Sequence, residues 1–133
     1  MAAKPETKFI SRVHKKLPPK LYHMKNHNAY TGGIADVWYS GTKADLWVEY
    51  KFIERLPVNV PVRPPELLTA LQLAWLKDRL SEGRNVAVII GTKGGGVVLT
   101  NHEWEHEIPV PHFKSLIRSD ADLAGWIKEQ IEQ

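Results

Sequence analysis

The chain has 133 residues, 43% hydrophobic and 25% charged, with no cysteine and a net charge of +3. This is the balance of a soluble globular protein, and the length suits one domain spanning residues 1–133. Disulfides and thiolate metal sites are excluded, and no run approaches the roughly 20 apolar residues of a membrane span.

Residues 6–17 have the pattern of a helix, with Phe9, Ile10, Val13 and Leu17 three and four apart, ended by Pro18-Pro19. Lys20 to Gly33 is ambiguous, an extended strand around Leu21 to Met24 followed by a loop. Two apolar runs, Ile34 to Tyr39 and Leu46 to Phe52, then flank Ser40-Gly41-Thr42-Lys43 as a β-hairpin. Pro57 to Pro65 reads as a loop. Thr69 to Glu82 is the clearest helix, with Leu73, Leu76 and Leu80 on one face, Leu68, Leu71 and Trp75 widening it, and Gly83 as its stop. Val86 to Gly91 and Val97 to Thr100 are expected to be strands around a glycine-rich turn, and Leu123 to Ile131 a closing helix. The fold class is therefore α/β, a mixed sheet flanked by helices.

Charge is unevenly spread. Residues 1–25 carry a net +6 and residues 101–133 a net −4. A basic end suits a polyanion such as nucleic acid, and it equally suits a solvated helix face. The opening MAAKPETKF lacks the apolar centre of a signal peptide. With no cysteine, a reducing cytoplasm is expected, or a host cytoplasm if the chain is phage-encoded.

The hairpin poses a chemical problem. Its strands are apolar enough to be buried, yet they carry Asp36, Glu49 and Lys51. Period-two alternation puts Trp47, Glu49 and Lys51 on one face and Leu46, Val48, Tyr50 and Phe52 on the other. Pairing across the hairpin can bring Asp36 beside Glu49. Two adjacent carboxylates repel, and one takes up a proton unless a cation sits between them. Oxygen ligands suit Mg²⁺ or Mn²⁺, which also bind phosphate oxygens, and Lys51 could face the same phosphate. These parts suffice for metal-assisted phosphodiester hydrolysis. The plainer alternative is a Glu49–Lys51 salt bridge on a half-exposed face.

Asp36 followed by Glu49-Tyr50-Lys51 on the next strand resembles the signature of the PD-(D/E)XK nucleases. The longer run, GGIADVWYSG through LWVEYK, a Pro-rich loop, then TALQLAWLKDRLSEGRNVAVIIG, resembles the VRR-NUC branch in particular. The likeness covers about residues 32 to 91. It implies a restriction-endonuclease-like αβββαβ core that binds one or two divalent ions through Asp36, Glu49 and the main-chain carbonyl of Tyr50. It also implies a site role for Gln72, whose local pattern Thr69-Ala70-Leu71-Gln72 is itself a capping box. The chain departs from the pattern at Ala35, where relatives have Pro. A further acidic ligand is expected on the first helix, where Glu6 stands early and Ser11 and His14 are the other polar candidates.

Two further motifs compete. His102-Glu103-Trp104-Glu105-His106 matches the H-E-x-x-H zinc peptidase pattern, which requires a helix that Pro109 and Pro111 leave little room for. The turn GTKGGG lacks the Lys-Ser/Thr of a P-loop, although its backbone and Lys93 could touch a phosphate. Trp38 and Trp47 have the parity of the acidic site, for core packing or for stacking on bases.

The function expected from the sequence is a Mg²⁺-dependent DNA endonuclease. The resemblance points to branched or nicked DNA, including Holliday junctions and flaps, and to a homodimer. Phosphate contacts are expected from Arg12, Lys15, Lys16, Lys20, Arg55 and Arg63. The competing readings are an inactive nucleic-acid-binding module of the same fold and a zinc peptidase through His102 and His106.

Overall fold

The computed structural model describes residues 4–26 and 32–132. Five strands form one sheet in the spatial order of the sequence: β1 (Tyr22–Lys25), β2 (Val37–Ser40), β3 (Asp45–Phe52), β4 (Val86–Thr92) and β5 (Gly95–Leu99). β3 and β4 run parallel and every other neighbouring pair is antiparallel. The parallel step needs a crossover, supplied by a one-turn helix α2 (Pro64–Leu67) and the longer α3 (Ala70–Ser81). Residues 27–31 of the ambiguous segment lie outside the described residues, while its strand forms one residue later than expected.

Each sheet face has its own core. On one side α1 (Pro5–Lys15) and α5 (Asp120–Ile131) cover Tyr39, Leu46, Val48, Tyr50 and Ile89, burying Phe9, Val13, Leu123 and Ile127 against them. On the other, α2, α3 and α4 (Val110–Leu116) pack on Val86, Val88, Ile90 and Leu99. The parity read for β3 holds: Leu46, Val48, Tyr50 and Phe52 join the first core, and Trp47 the second.

α4 was not anticipated. Pro109 and Pro111 read as helix breakers, but Pro109 is the N-cap and Pro111 lies in the first turn, where a missing N–H costs nothing. Leu71 also departs from expectation. It is 63% exposed, turned away from the face that buries Leu76.

The glycine-rich turn has a packing role. Gly91 and Gly96 are cross-strand partners on β4 and β5, and together they open a slot for the ring of Phe9. A Cβ at Gly96 would lie 2.9 Å from that ring, and one at Gly91 would lie closer still. Phe9 is fully buried and cannot step aside. Gly91→Ala is therefore expected to destabilise the fold by about 1–3 kcal/mol, read as a lower urea midpoint at unchanged slope.

The last helix also holds the hairpin. The carbonyl of Ile131 accepts hydrogen bonds from the amides of Lys43 (2.7 Å) and Ala44 (3.2 Å) in the β2–β3 turn. Gly41 lets that carbonyl come close, since a Cβ there would collide with it.

Candidate active site

The β2–β3 register pairs Val37 with Val48, so one further step opposes Asp36 to Glu49. Asp36 itself is not inside the strand, as the sequence suggested. It sits at a bend one residue before β2, and its Oδ2 accepts the backbone amide of Tyr50 at 3.0 Å. A side chain thus replaces a ladder partner, and this hydrogen bond fixes the carboxylate beside the Glu49–Tyr50 peptide.

Glu49 is 1% exposed. Its Oε2 receives the side-chain amide of Gln72 at 3.3 Å and lies 3.6 Å from the Lys51 ammonium. Its Oε1 is buried without a hydrogen-bond partner. The register sets Asp36 opposite Glu49, near enough for its charge to bear on the Glu49 carboxyl. Two ionised carboxylates are both acceptors, so nothing joins them until a proton or a cation enters. Burial, and then Asp36, push the Glu49 carboxyl up to about 9, with Lys51 pulling it down. A Glu49–Lys51 salt bridge does exist, but it accounts for Oε2 alone. It leaves both Oε1 and the facing Asp36 unexplained.

Gln72 forms the expected capping box and also reaches Glu49. Its Oε1 accepts the amide of Thr69 at 2.9 Å while Thr69 Oγ1 accepts the amide of Gln72 at 3.1 Å, which completes the capping box. The cap anchors one end of the side-chain amide and so aims the other at Glu49. Capping and site geometry here use the two ends of one amide group.

The first helix contributes Glu6, the candidate that the sequence placed too early. α1 begins at Pro5, and its first turn brings Glu6 within electrostatic reach of Asp36, Glu49 and Lys51. Burial and Asp36 raise the pKa of Glu6, with Lys51 opposing. The other two candidates go elsewhere. Ser11 is exposed, and His14 Nε2 shares a 2.7 Å hydrogen bond with the hydroxyl of Tyr39, whose side chain lies in the α1 and α5 core. Burial, with His23 and Lys25 nearby, lowers His14 to about 4 from the usual 6.5, so it stays neutral at pH 7.

Among the described residues, no three His, Asp or Glu side chains form a ready-made metal cage. A cation here would rest on Asp36, Glu49 and the Tyr50 carbonyl and keep several waters, the mode that Mg²⁺ favours. The orphaned Glu49 Oε1 and the all-oxygen donor set fit such an ion.

No family model matches the chain, and no curated protein matches it. Among solved structures, it is similar to Hjc, a Holliday junction resolvase from the archaeal hyperthermophile Archaeoglobus fulgidus. The TM-score is 0.55 at 14% sequence identity, covering 92% of this chain and 97% of that one. The fold is of the restriction-endonuclease type.

In this restriction-endonuclease-type fold Glu49 lies on the α3 side of β3, where it meets Gln72, and Glu6 at the start of α1 acts on the pair through its charge. The predicted phosphate contacts divide. Lys15, Lys16, Lys20 and Arg55 are exposed. Arg12 is drawn into structural work: its Nε meets Asp120 at 3.1 Å, its Nη2 donates to the Thr92 carbonyl, and its guanidinium lies over the Phe9 ring. Arg63 pairs with Glu107 at 3.4 Å and Glu66 at 3.9 Å. Sequence separation hid the Arg12 pair, whose partners are 108 positions apart.

The H-E-x-x-H segment lacks the helix its metal reading requires. Glu103–Glu105 is a single 3₁₀ turn, and His102 has a left-handed backbone with φ 72°. Glu103, the would-be general base, accepts the Thr100 amide at 2.7 Å, and His102 pairs with Glu105 at 3.2 Å. No helix among the described residues is long and apolar enough to cross a membrane.

Proposed function

We propose that the chain is a Mg²⁺-dependent DNA endonuclease of the structure-specific type, acting on branched or nicked DNA, within the PD-(D/E)XK superfamily and closest in its motifs to the VRR-NUC branch. The observation that carries this reading is the facing pair Asp36 and Glu49. Glu49 is buried and Asp36 half-buried, Glu49 Oε1 has no partner, and an ammonium stands alongside. Such a pair has no stable ionised state by itself and gains one with a divalent cation.

Asp36, Glu49 and the Tyr50 carbonyl would hold Mg²⁺ or Mn²⁺. When bound, the ion supplies a Lewis acid at the phosphoryl oxygen and acidifies water. The chain's own residues do the rest. Gln72 fixes the rotamer of Glu49, and the Tyr50 amide fixes Asp36. Lys51 presents its ammonium to the attacking water or to the charge that develops on the phosphate. Glu6, further out, accepts a hydrogen bond from water and orients it. Lys15, Lys16, Lys20 and Arg55 contact flanking phosphates.

A branched substrate with two strands to cut suits a homodimer. The edge strand β1, with Tyr22 56% and Met24 47% exposed, supports self-association.

The test is direct. A synthetic four-way junction, a flapped duplex and supercoiled plasmid are incubated with the protein and Mg²⁺, Mn²⁺ or EDTA. Cleavage with either metal and none in EDTA is expected. If the protein binds the junction and cuts nothing under any condition, it is a binding module of this fold.

A further inference from the structure

A second feature shares the sheet face of the acidic pair. Trp38 and Trp47 are direct cross-strand partners on β2 and β3, with ring centroids 6.0 Å apart. Trp75 on α3 meets Trp47 edge-on at 5.5 Å, and Tyr22 on the edge strand meets Trp38 at 5.6 Å. The three tryptophans are only partly buried and line a cleft of about 580 Å³. That volume is in the range of small-ligand sites. Trp47 and Trp75 pack partly on the second core and leave the rest of their rings open to the cleft.

Two elements lead from the acidic pair into this cleft. Trp47 precedes Glu49 by two residues on the same face of β3, a step of about 6.6 Å. Trp75 follows Gln72 by one turn of α3. The cleft therefore neighbours the proposed cleavage site on the same face of the sheet, with Trp47 and Trp75 as its nearest walls.

Its charges say what it does not hold. Arg79 contacts Glu82 at 3.0 Å and its guanidinium lies over the Trp75 ring, while Arg84 reaches Glu82 at 3.9 Å. Asp45 adds a carboxylate at the rim. With two guanidiniums matched by two carboxylates, the cleft is no trap for bare phosphate. Its attraction lies in ring faces, which every base can use regardless of sequence.

We propose that the Trp38–Trp47–Trp75 cleft is a stacking subsite for an unpaired nucleobase next to the scissile phosphate. This rests on the nuclease reading for its substrate, DNA. It adds a preference: a substrate with an unpaired base beside the cut engages the cleft, and a continuous duplex does not.

The experiment uses binding in EDTA, so that it does not depend on cleavage. A short single-stranded oligothymidine and an abasic copy of it are titrated against the protein, reading tryptophan fluorescence and anisotropy. The base-bearing strand should quench fluorescence and bind about tenfold tighter or more than the abasic one. Trp38→Leu and Trp75→Leu, checked for folding by circular dichroism, should each remove most of that difference. Equal affinity for the two strands, or folded variants that keep the full difference, overturns the proposal. So does a Trp75→Leu protein that changes from dimer to monomer by light scattering while its preference for bases persists, because the cleft then seats a second copy of the chain. A protein that shows the base-dependent quench and cuts no DNA with Mg²⁺ leaves the subsite standing and removes the nuclease reading. One that cuts without the base preference does the reverse.

Discussion

Glu49→Gln should abolish Mg²⁺-dependent cleavage, by roughly 10³-fold or more, and should raise the thermal midpoint in EDTA at pH 8. The second effect follows from proton linkage. In the folded protein without a cation the Glu49 carboxyl is held at about 9, against an ordinary 4.5. A carboxyl raised in this way contributes stability that is complete below pH 4.5 and is lost as pH rises through 9. At pH 8 the unfolded chain holds an ionised Glu49 and the folded chain must keep the proton, so folding is penalised. Glutamine has nearly the same shape and no proton to retain, and the penalty disappears. The ammonium of Lys51 still has Glu6 in its field. The expected gain is on the order of a few degrees. Mg²⁺ should stabilise the wild type at pH 8 far more than at pH 5 and leave the variant unmoved. Scanning calorimetry at both pH values, with Mg²⁺ or EDTA, measures all of this. A variant that melts lower than wild type in EDTA at pH 8, or still gains stability with Mg²⁺, contradicts the assignment of Glu49.

Lys51→Met should separate turnover from metal binding. The ammonium lies 3.6 Å from Glu49 Oε2 and opposes the upward shift of that carboxyl, so it also competes with any cation for the carboxylate charge. Removing it should lower the cleavage rate at saturating Mg²⁺ by roughly 10²–10³-fold. The Mg²⁺ concentration for half-maximal activity should stay unchanged or fall. Asp36→Asn should do the opposite to the metal requirement and raise it, because a facing carboxylate is gone. Single-turnover rates across a Mg²⁺ titration distinguish the two. If Lys51→Met raised the metal requirement and left the saturated rate intact, Lys51 would be serving only to hold Glu49 in place.

Much of the hairpin was legible because its constraints are local. Alternation on a strand sets which side Glu49 and Lys51 share, and hairpin pairing sets what faces them. The capping box was legible for the same reason, since Thr69 and Gln72 are one turn apart. Tertiary contacts were not. The approach of Glu6 depends on how α1 lies across the sheet, and that depends on Phe9 entering a slot between two glycines more than 80 positions further on. The same docking draws Arg12 to Asp120, which no short-range pattern in a basic helix could reveal. α4 was hidden because Pro109 and Pro111 signal the end of a helix as readily as its beginning. The aromatic row was half visible. The parity of Trp38 and Trp47 was readable, but the arrival of Trp75 from the crossover helix was not.

The hydrogen bonds from Lys43 and Ala44 to Ile131 bear on when the site can exist during synthesis. The turn that sets Asp36 against Glu49 is among the earlier parts made, and its brace is among the later ones. Until α5 has left the ribosome and docked, the hairpin lacks its support and α1 lacks one wall of its core. A growing chain would thus carry every residue of the proposed catalytic centre once Gln72 is made, well before it has a geometry able to use them.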